Sequence, residues 1–256
     1  MDILQNMTWK EVKNRMNSNA IALLPIGSTE QHGLHAPLGV DSIVAEFLAR
    51  KAAEEKDVIC TPTVSVGVSD YHRQFWGTLW VSPETLKAYV REIVSSLHFH
   101  KIRRVILVNG HGGNRGCLRE LARELRRNKA IYVVLWTWFE AIQDEIIKLF
   151  GKPRPPLHAD CVETSILWAI SEKHVRKELL RKSLENGSPD WGEYHNKILV
   201  SEEVVDFSES GATGDPTKTD FEKGKILIQK AESNLISIID WLQKKPVTDL
   251  GPKRHK

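Results

Sequence analysis

The sequence predicts an α/β protein with a mainly parallel central sheet and helices on both faces, and three observations carry that expectation. Apolar runs of strand length at residues 20–27 and 105–108 each lead into a glycine-bearing turn and then an amphipathic helix. Both runs are almost continuously apolar, as expected of strands covered on two sides, where alternation would mark one wet face. Strands and helices then alternate at lengths that suit parallel crossovers. In such sheets ligands bind beyond the carboxyl ends of the strands, so side chains on that edge are the first candidates for chemistry.

Taken in order, residues 8–17 begin with a Thr cap and read as a short helix. AIALLPIG is the first strand, residues 41–55 repeat Ile43, Val44, Phe47 and Leu48 at helical spacing, and DVICTPTVSVGV reads as a second strand and its exit. DYHRQFWGTLWVS is an aromatic loop ending at Pro83, which suits the first turn of a helix carrying Leu86, Val90, Val94 and Leu97. RRVILVNGHGGN repeats the opening design with His111 in its turn, and a further helix with Leu118, Leu121 and Leu125 leads to the strand IYVVLWTW. FEAIQDEIIKLFG is helical, KPRPPLH is a proline-stiffened loop ending at His158, and ADCVETSILWAIS begins another helix. Residues 184–220 are irregular, and Phe221 to Lys244 form the last helix.

With 256 residues, the chain has the length of one large domain, expected over 1–244, followed by a flexible basic tail over 245–256. A formal net charge of +3 gives no basic field of the kind nucleic acids require. Cys60, Cys117 and Cys161 are odd in number and widely spaced, which excludes a disulfide framework and fits a reducing cytoplasm. No apolar run approaches the roughly 18 residues of a membrane span, and MDILQNMTWKEVKNRM lacks the basic-then-apolar order of an export signal.

Chemistry concentrates in LLPIGSTEQHGLHAPLGVD, where Glu30, His32, His35 and Asp41 follow an apolar strand within a turn-rich loop. Glu30 and His32, two apart on an extended segment, point the same way, and Asp41 approaches from a helix start, so the three can reach adjacent metal ions. The bland alternative makes Asp41 a helix N-cap. His111 falls on the same sheet edge from a strand about 80 residues away. Glu163 admits two readings: a ligand aimed from the first helical turn, or the reciprocal partner of Asp160 in a capping box. Two rival chemistries are a phosphate cradle in the GHGGN turn and a thiol nucleophile at Cys161 with His158 beside it.

With these residues in view, the chain resembles the creatininase, or creatinine amidohydrolase, family from about Thr8 to Leu242. GSTEQHG with Asp41, VNGHGGN around His111 and HADCVETS from His158 carry the resemblance; residues 75–78 and GATGDP at 211–216 are weaker echoes. The resemblance implies a three-layer α/β/α sandwich and a metal-dependent hydrolase of a small-molecule amide, assembled as a homo-oligomer, often a hexamer. By position, Glu30, Asp41 and His111 would hold one divalent ion and His32, Asp41 and Glu163 a second, with Asp41 bridging. Mixed carboxylate and imidazole donors suit zinc, manganese or iron. His158 would serve as acid or base, with Glu163 also in the catalytic set. Trp138 would match a substrate-stacking tryptophan, and Thr78, Gly112 and Gly113 would line the substrate. Gly113 stands where creatininase itself has a glutamate, which argues against creatinine as substrate. Its plain HGGN turn is similar to that of members that deformylate formamidopyrimidine nucleotides in flavin and deazaflavin synthesis, where Lys152 or Arg154 would face a phosphate. A non-catalytic metal-binding relative is the remaining alternative.

Overall fold

Three strands ending at one level set the geometry of the molecule, a computed structural model that describes residues 3–15, 19–129, 131–151, 158–192 and 203–252. Strand β1 is Ile21–Ile26, β2 is Ile59–Cys60, β3 is Arg104–Asn109 and β4 is Tyr132–Thr137. The sheet order is β2-β1-β3-β4 and every pairing is parallel. Ile26 pairs with Asn109, which pairs with Thr137, so the carboxyl ends of β1, β3 and β4 form one straight edge.

The second strand is much shorter than its sequence suggests. Thr61 N donates to Leu23 O and Val64 N to Pro25 O, so this side of β1 faces β2, and there Pro25 has no N–H to offer. Pro62 lies opposite the gap, and the ladder resumes only as an isolated bridge between Ile26 and Val64.

Alternate residues of β1 enter opposite layers. Ile21 and Leu23 join one apolar cluster with helices α2 (Val40–Lys56), α7 (Cys161–Ile170) and α10 (Phe221–Gln243). Ala22, Leu24 and Ile26 join the other, beneath α3 (Pro83–Phe99) and α4 (Arg115–Lys129). The result is a three-layer α/β/α sandwich around a parallel sheet, with fully buried aliphatic side chains contributing about 1.5–3 kcal/mol each.

Helix α1, Trp9–Arg15, starts at the expected Thr cap: Glu11 N donates to Thr8 Oγ1 at 3.4 Å and Thr8 N to Glu11 Oε2 at 2.7 Å. Ser82 caps α3 by accepting from Thr85 N at 3.1 Å. The helix expected after β4 is two pieces, α5 (Trp138–Ala141) and α6 (Gln143–Phe150), separated at Ile142. Helix α8 (Leu180–Glu185) runs into the start of the segment read as irregular over 184–220, and α9 (Val204–Phe207) interrupts it. Past α10, Arg104 Nη2 donates to Lys245 O at 2.6 Å and Leu250 is buried. Lys152 and Arg154 lie outside the described residues. No described helix is long and apolar enough to cross a membrane.

Candidate metal centre

Beyond the ends of β1 and β3, backbone approaches backbone so closely that the two exits share one pocket. A Cβ on Gly110 would meet Asp41 O at 2.2 Å, so only glycine lets the β3 exit rest on the first turn of α2. This contact sets His111 beside Asp41. Asp41 is not the N-cap of α2, as the bland reading had it; Gly39 is, and Asp41 is the second helical residue with its carboxylate turned inward. Its Oδ1 is 3.4 Å from His32 Nε2 and its Oδ2 is 3.1 Å from His111 Nδ1.

Each imidazole has one nitrogen committed to a backbone carbonyl. His32 Nδ1 donates to Glu30 O at 3.2 Å and His111 Nε2 to Val68 O at 2.8 Å, which turns His32 Nε2 and His111 Nδ1 inward, each able to offer a lone pair to a cation that displaces its proton. Glu30 is fully buried, its Oε1 is 3.2 Å from His111 Nδ1, and neither of its carboxylate oxygens has a hydrogen-bond partner. His32 Nε2 and Asp41 Oδ2 are likewise without partners. Buried acceptors left unpaired cost folding free energy unless a cation satisfies them.

At α7 the two readings of Glu163 are both partly met. Asp160 caps the helix alone, accepting from Val162 N at 2.8 Å and Glu163 N at 3.3 Å. Glu163 Oε2 accepts from Ala159 N at 2.7 Å instead of completing a capping box, and lies 3.7 Å from His32 Nε2. His158 joins from the same segment: Nε2 donates to Gln31 O at 2.5 Å, and Nδ1 is 3.6 Å from Glu30 Oε1.

Three overlapping groups can therefore hold a cation, each with donor atoms within 4.8 Å of one another: Glu30, Asp41 and His111; His32, Asp41 and Glu163; and Glu30, His32 and His158. The electrostatics agree. Burial pushes the Glu30 carboxyl up against the pull of His111, and pushes Glu163 up to about 8. Burial also works against Asp41, but His32 and His111 overcome it and hold that carboxyl well below its usual range. His32 resists burial through Asp41 and is raised to about 9, and His111 is raised through Glu30. Burial and the neighbouring imidazoles hold His158 and His72 well below the ordinary histidine range. Carboxylates and imidazoles here compete for too few protons, as in a site built for a positive ion.

The remaining sequence candidates fall around this cluster. His35 is absent from it, held between Ser183 Oγ at 3.1 Å and Thr164 Oγ1 at 2.9 Å. Thr78 Oγ1 accepts from Gln31 N at 3.2 Å. Trp138 is buried with its ring 5.5 Å from Phe139, and Gly112 lies near the same Phe139 ring. Cys161 is buried in the apolar layer. Sequence reasoning missed His72, Gln31 and Trp191. His72 is fully buried with its ring 4.4 Å from His158, and Trp191 closes edge-on over Tyr71, His72 and His158. The one available signal was a histidine in a loop leaving a strand on the same sheet edge.

The creatininase family model, described as creatinine amidohydrolase, matches residues 5–239. The chain belongs to the creatininase family. Members of this family are metal-dependent hydrolases. Among its relatives, a 3-dehydro-scyllo-inosose hydrolase of Thermotoga maritima is 30% identical over 186 residues, 68% of this chain and 58% of that protein. The chain thus spans less than two thirds of that relative's length. A mycofactocin precursor peptide peptidase of Mycobacterium tuberculosis is 30% identical over 216 residues, covering 79% of this chain and 78% of that one. A crystal structure of creatinine amidohydrolase superposes with a TM-score of 0.81 at 21% identity, covering 95% of this chain and 98% of that one. Solved creatininases of the same fold include a manganese form and a variant of zinc–zinc type.

Proposed function

We propose that this creatininase-family chain is a two-metal amidohydrolase that cleaves a non-peptide amide, linear or cyclic, of a small metabolite in the cytoplasm. The observation that carries the reading is Asp41, whose two carboxylate oxygens face two different imidazoles, Oδ1 toward His32 and Oδ2 toward His111. A carboxylate so divided supports a centre of two ions, to which it would contribute both oxygens. Glu30, Asp41 and His111 would hold one and His32, Asp41 and Glu163 the other, and the oxygen and nitrogen donors suit zinc, manganese or iron.

Bound there, divalent ions would supply an activated water and polarisation of the amide carbonyl. The chain's own side chains manage the protons. His158 keeps a proton on Nε2 against the Gln31 carbonyl and presents Nδ1 as an acceptor, so a proton taken there can be returned to the leaving nitrogen. Glu163 is the second candidate for this work, because its side chain is 12% exposed where Asp41 is 4% and Glu30 is 0% exposed. Thr78, Trp138, Gly112 and Gly113 are assigned to the substrate side. Gly113 in place of creatininase's glutamate supports a substrate other than creatinine. A homo-oligomer belongs to the same proposal, supported by the exposed Trp76, Leu79 and Trp80 on the loop that carries His72.

Elemental analysis of metal per chain, on wild type and Asp41→Ala purified without chelator, tests the reading. About two ions in wild type, falling sharply in the variant, justify screening formamides and cyclic amides with that metal. Wild type that takes up no zinc, manganese or iron on reconstitution would overturn it.

A further inference from the structure

We infer that His72 is a positioning residue of this centre: a neutral imidazole whose Nε2–H is locked toward Glu30 by the Gln31 amide, and which is not itself a metal ligand. The inference rests on the metal centre proposed above, and its basis is the orientation of one side-chain amide.

Gln31 Oε1 accepts from Gly33 N at 2.9 Å, and Gln31 Nε2 donates to Gly211 O at 3.0 Å. A backbone N–H can only donate and a backbone carbonyl can only accept, so these two bonds exclude the flipped amide. The second Nε2 hydrogen then points at His72 Nδ1, 2.8 Å away. An imidazole nitrogen that accepts carries no proton, so the proton of His72 sits on Nε2. That nitrogen is fully buried, has no hydrogen-bond partner, and lies 3.6 Å from Glu30 Oε1.

His72 therefore differs in kind from its neighbours. His32, His111 and His158 each spend a proton on a backbone carbonyl and turn the other nitrogen inward, where a bound cation would meet a lone pair. His72 receives from a side chain and turns a proton inward. Among acceptors that all seek a cation, a fixed N–H cannot coordinate the ion. It can orient a liganding carboxylate from outside, as outer partners in metal sites do. At 3.6 Å the contact with Glu30 Oε1 is longer than a hydrogen bond, so a small movement of the carboxylate completes it. Thr78, by accepting from Gln31 N, holds the residue whose side chain sets this tautomer.

The first test is a long-range nitrogen–proton correlation spectrum of uniformly nitrogen-15-labelled protein loaded with zinc. The expected His72 signal is a neutral ring protonated at Nε2, assigned by its loss in His72→Phe. A ring protonated at Nδ1, protonated twice, or bonded to zinc through Nε2 would overturn the inference. The second is zinc affinity by chelator competition. His72→Phe should lose about 10–100-fold with the stoichiometry unchanged, and His72→Gln, which restores an N–H donor, should recover most of the loss. Loss of an ion from the stoichiometry in His72→Phe would make His72 a ligand, and unchanged affinity would remove any role; either overturns the inference. If neither variant folds, the wild-type tautomer decides. If wild type binds no zinc, the two-metal reading fails by itself, and the spectrum of the metal-free protein still reports whether Gln31 locks the ring.

Discussion

A Cβ on Gly113 would lie 2.7 Å from the Tyr71 hydroxyl, and the same atom would lie 2.2 Å from Val68 O and 2.6 Å from His111 Nε2. The space where a side chain at 113 would begin is filled by a rigid carbonyl and a tyrosine. Restoring the glutamate of creatininase by Gly113→Glu should therefore not install creatinine hydrolysis. It should destabilise the protein by about 2–3 kcal/mol through overpacking and reduce metal content by displacing His111. Urea unfolding midpoints and metal per chain check this; a stable, fully loaded variant that hydrolyses creatinine would show that the loop yields.

The protonation of the centre predicts opposite pH behaviour with and without metal. Without metal, Glu163 is raised from 4.5 to about 8 and His32 from 6.5 to about 9, so the folded state holds protons that the unfolded chain releases. That contribution is complete below the unfolded values and is lost as pH rises through the folded ones. Metal displaces the same protons and binds more tightly as pH rises. The melting temperature of loaded protein minus that of chelator-stripped protein should widen steadily from pH 5 to pH 8. A difference independent of pH would place the ions elsewhere.

His35 acts in acid. Burial lowers its pKa from 6.5 to about 4, so the folded state keeps it neutral while the unfolded chain takes up a proton. The stability it supplies is present above pH 6.5 and is lost as pH falls toward 4, a change of about 3 kcal/mol. Urea midpoints of wild type should fall more steeply over this window than those of His35→Gln, which has no proton to gain.

Cys161 sits in the apolar layer at the start of α7, 1% exposed. Cys161→Ala should leave metal content and hydrolysis within about twofold and cost about 1 kcal/mol of stability. Loss of hydrolysis at full metal loading would instead favour the thiol mechanism.

Much of this architecture is legible in the chain because its strands are continuous apolar runs and its candidate ligands follow them directly. Glu30, His32 and His111 follow the ends of β1 and β3 within a few residues and Asp41 opens the next helix, so topology alone puts them on one edge. His158 and Glu163 converge on the same cluster because a helix start meets that edge. What escaped the sequence depends on side-chain bonds rather than on periodicity. His72 lies in a loop held by the Leu79–Thr29 bridge and by Ser69 Oγ donating to Leu79 O at 3.1 Å, neither of which leaves a repeating pattern. The shortness of β2 depends on Pro25, which has no N–H for the ladder, and on a one-residue shift of register beside Pro62 between the Leu23–Cys60 pair and the Ile26–Val64 bridge, which only the fold reveals. The inward turn of Asp41 reversed a capping preference, because Gly39 serves as the cap.

The spread of the candidate ligands along the chain bears on how the protein is made. Glu30, His32 and Asp41 leave the ribosome early, but Glu163 emerges only with α7, after all four strands and the His111 turn. A nascent chain thus carries an incomplete set of donors until its second half has docked on the first. On the two-metal reading, ions would enter only the finished molecule, and truncated chains would gain no stabilisation from them. Metal capture would then double as a check that synthesis ran to completion.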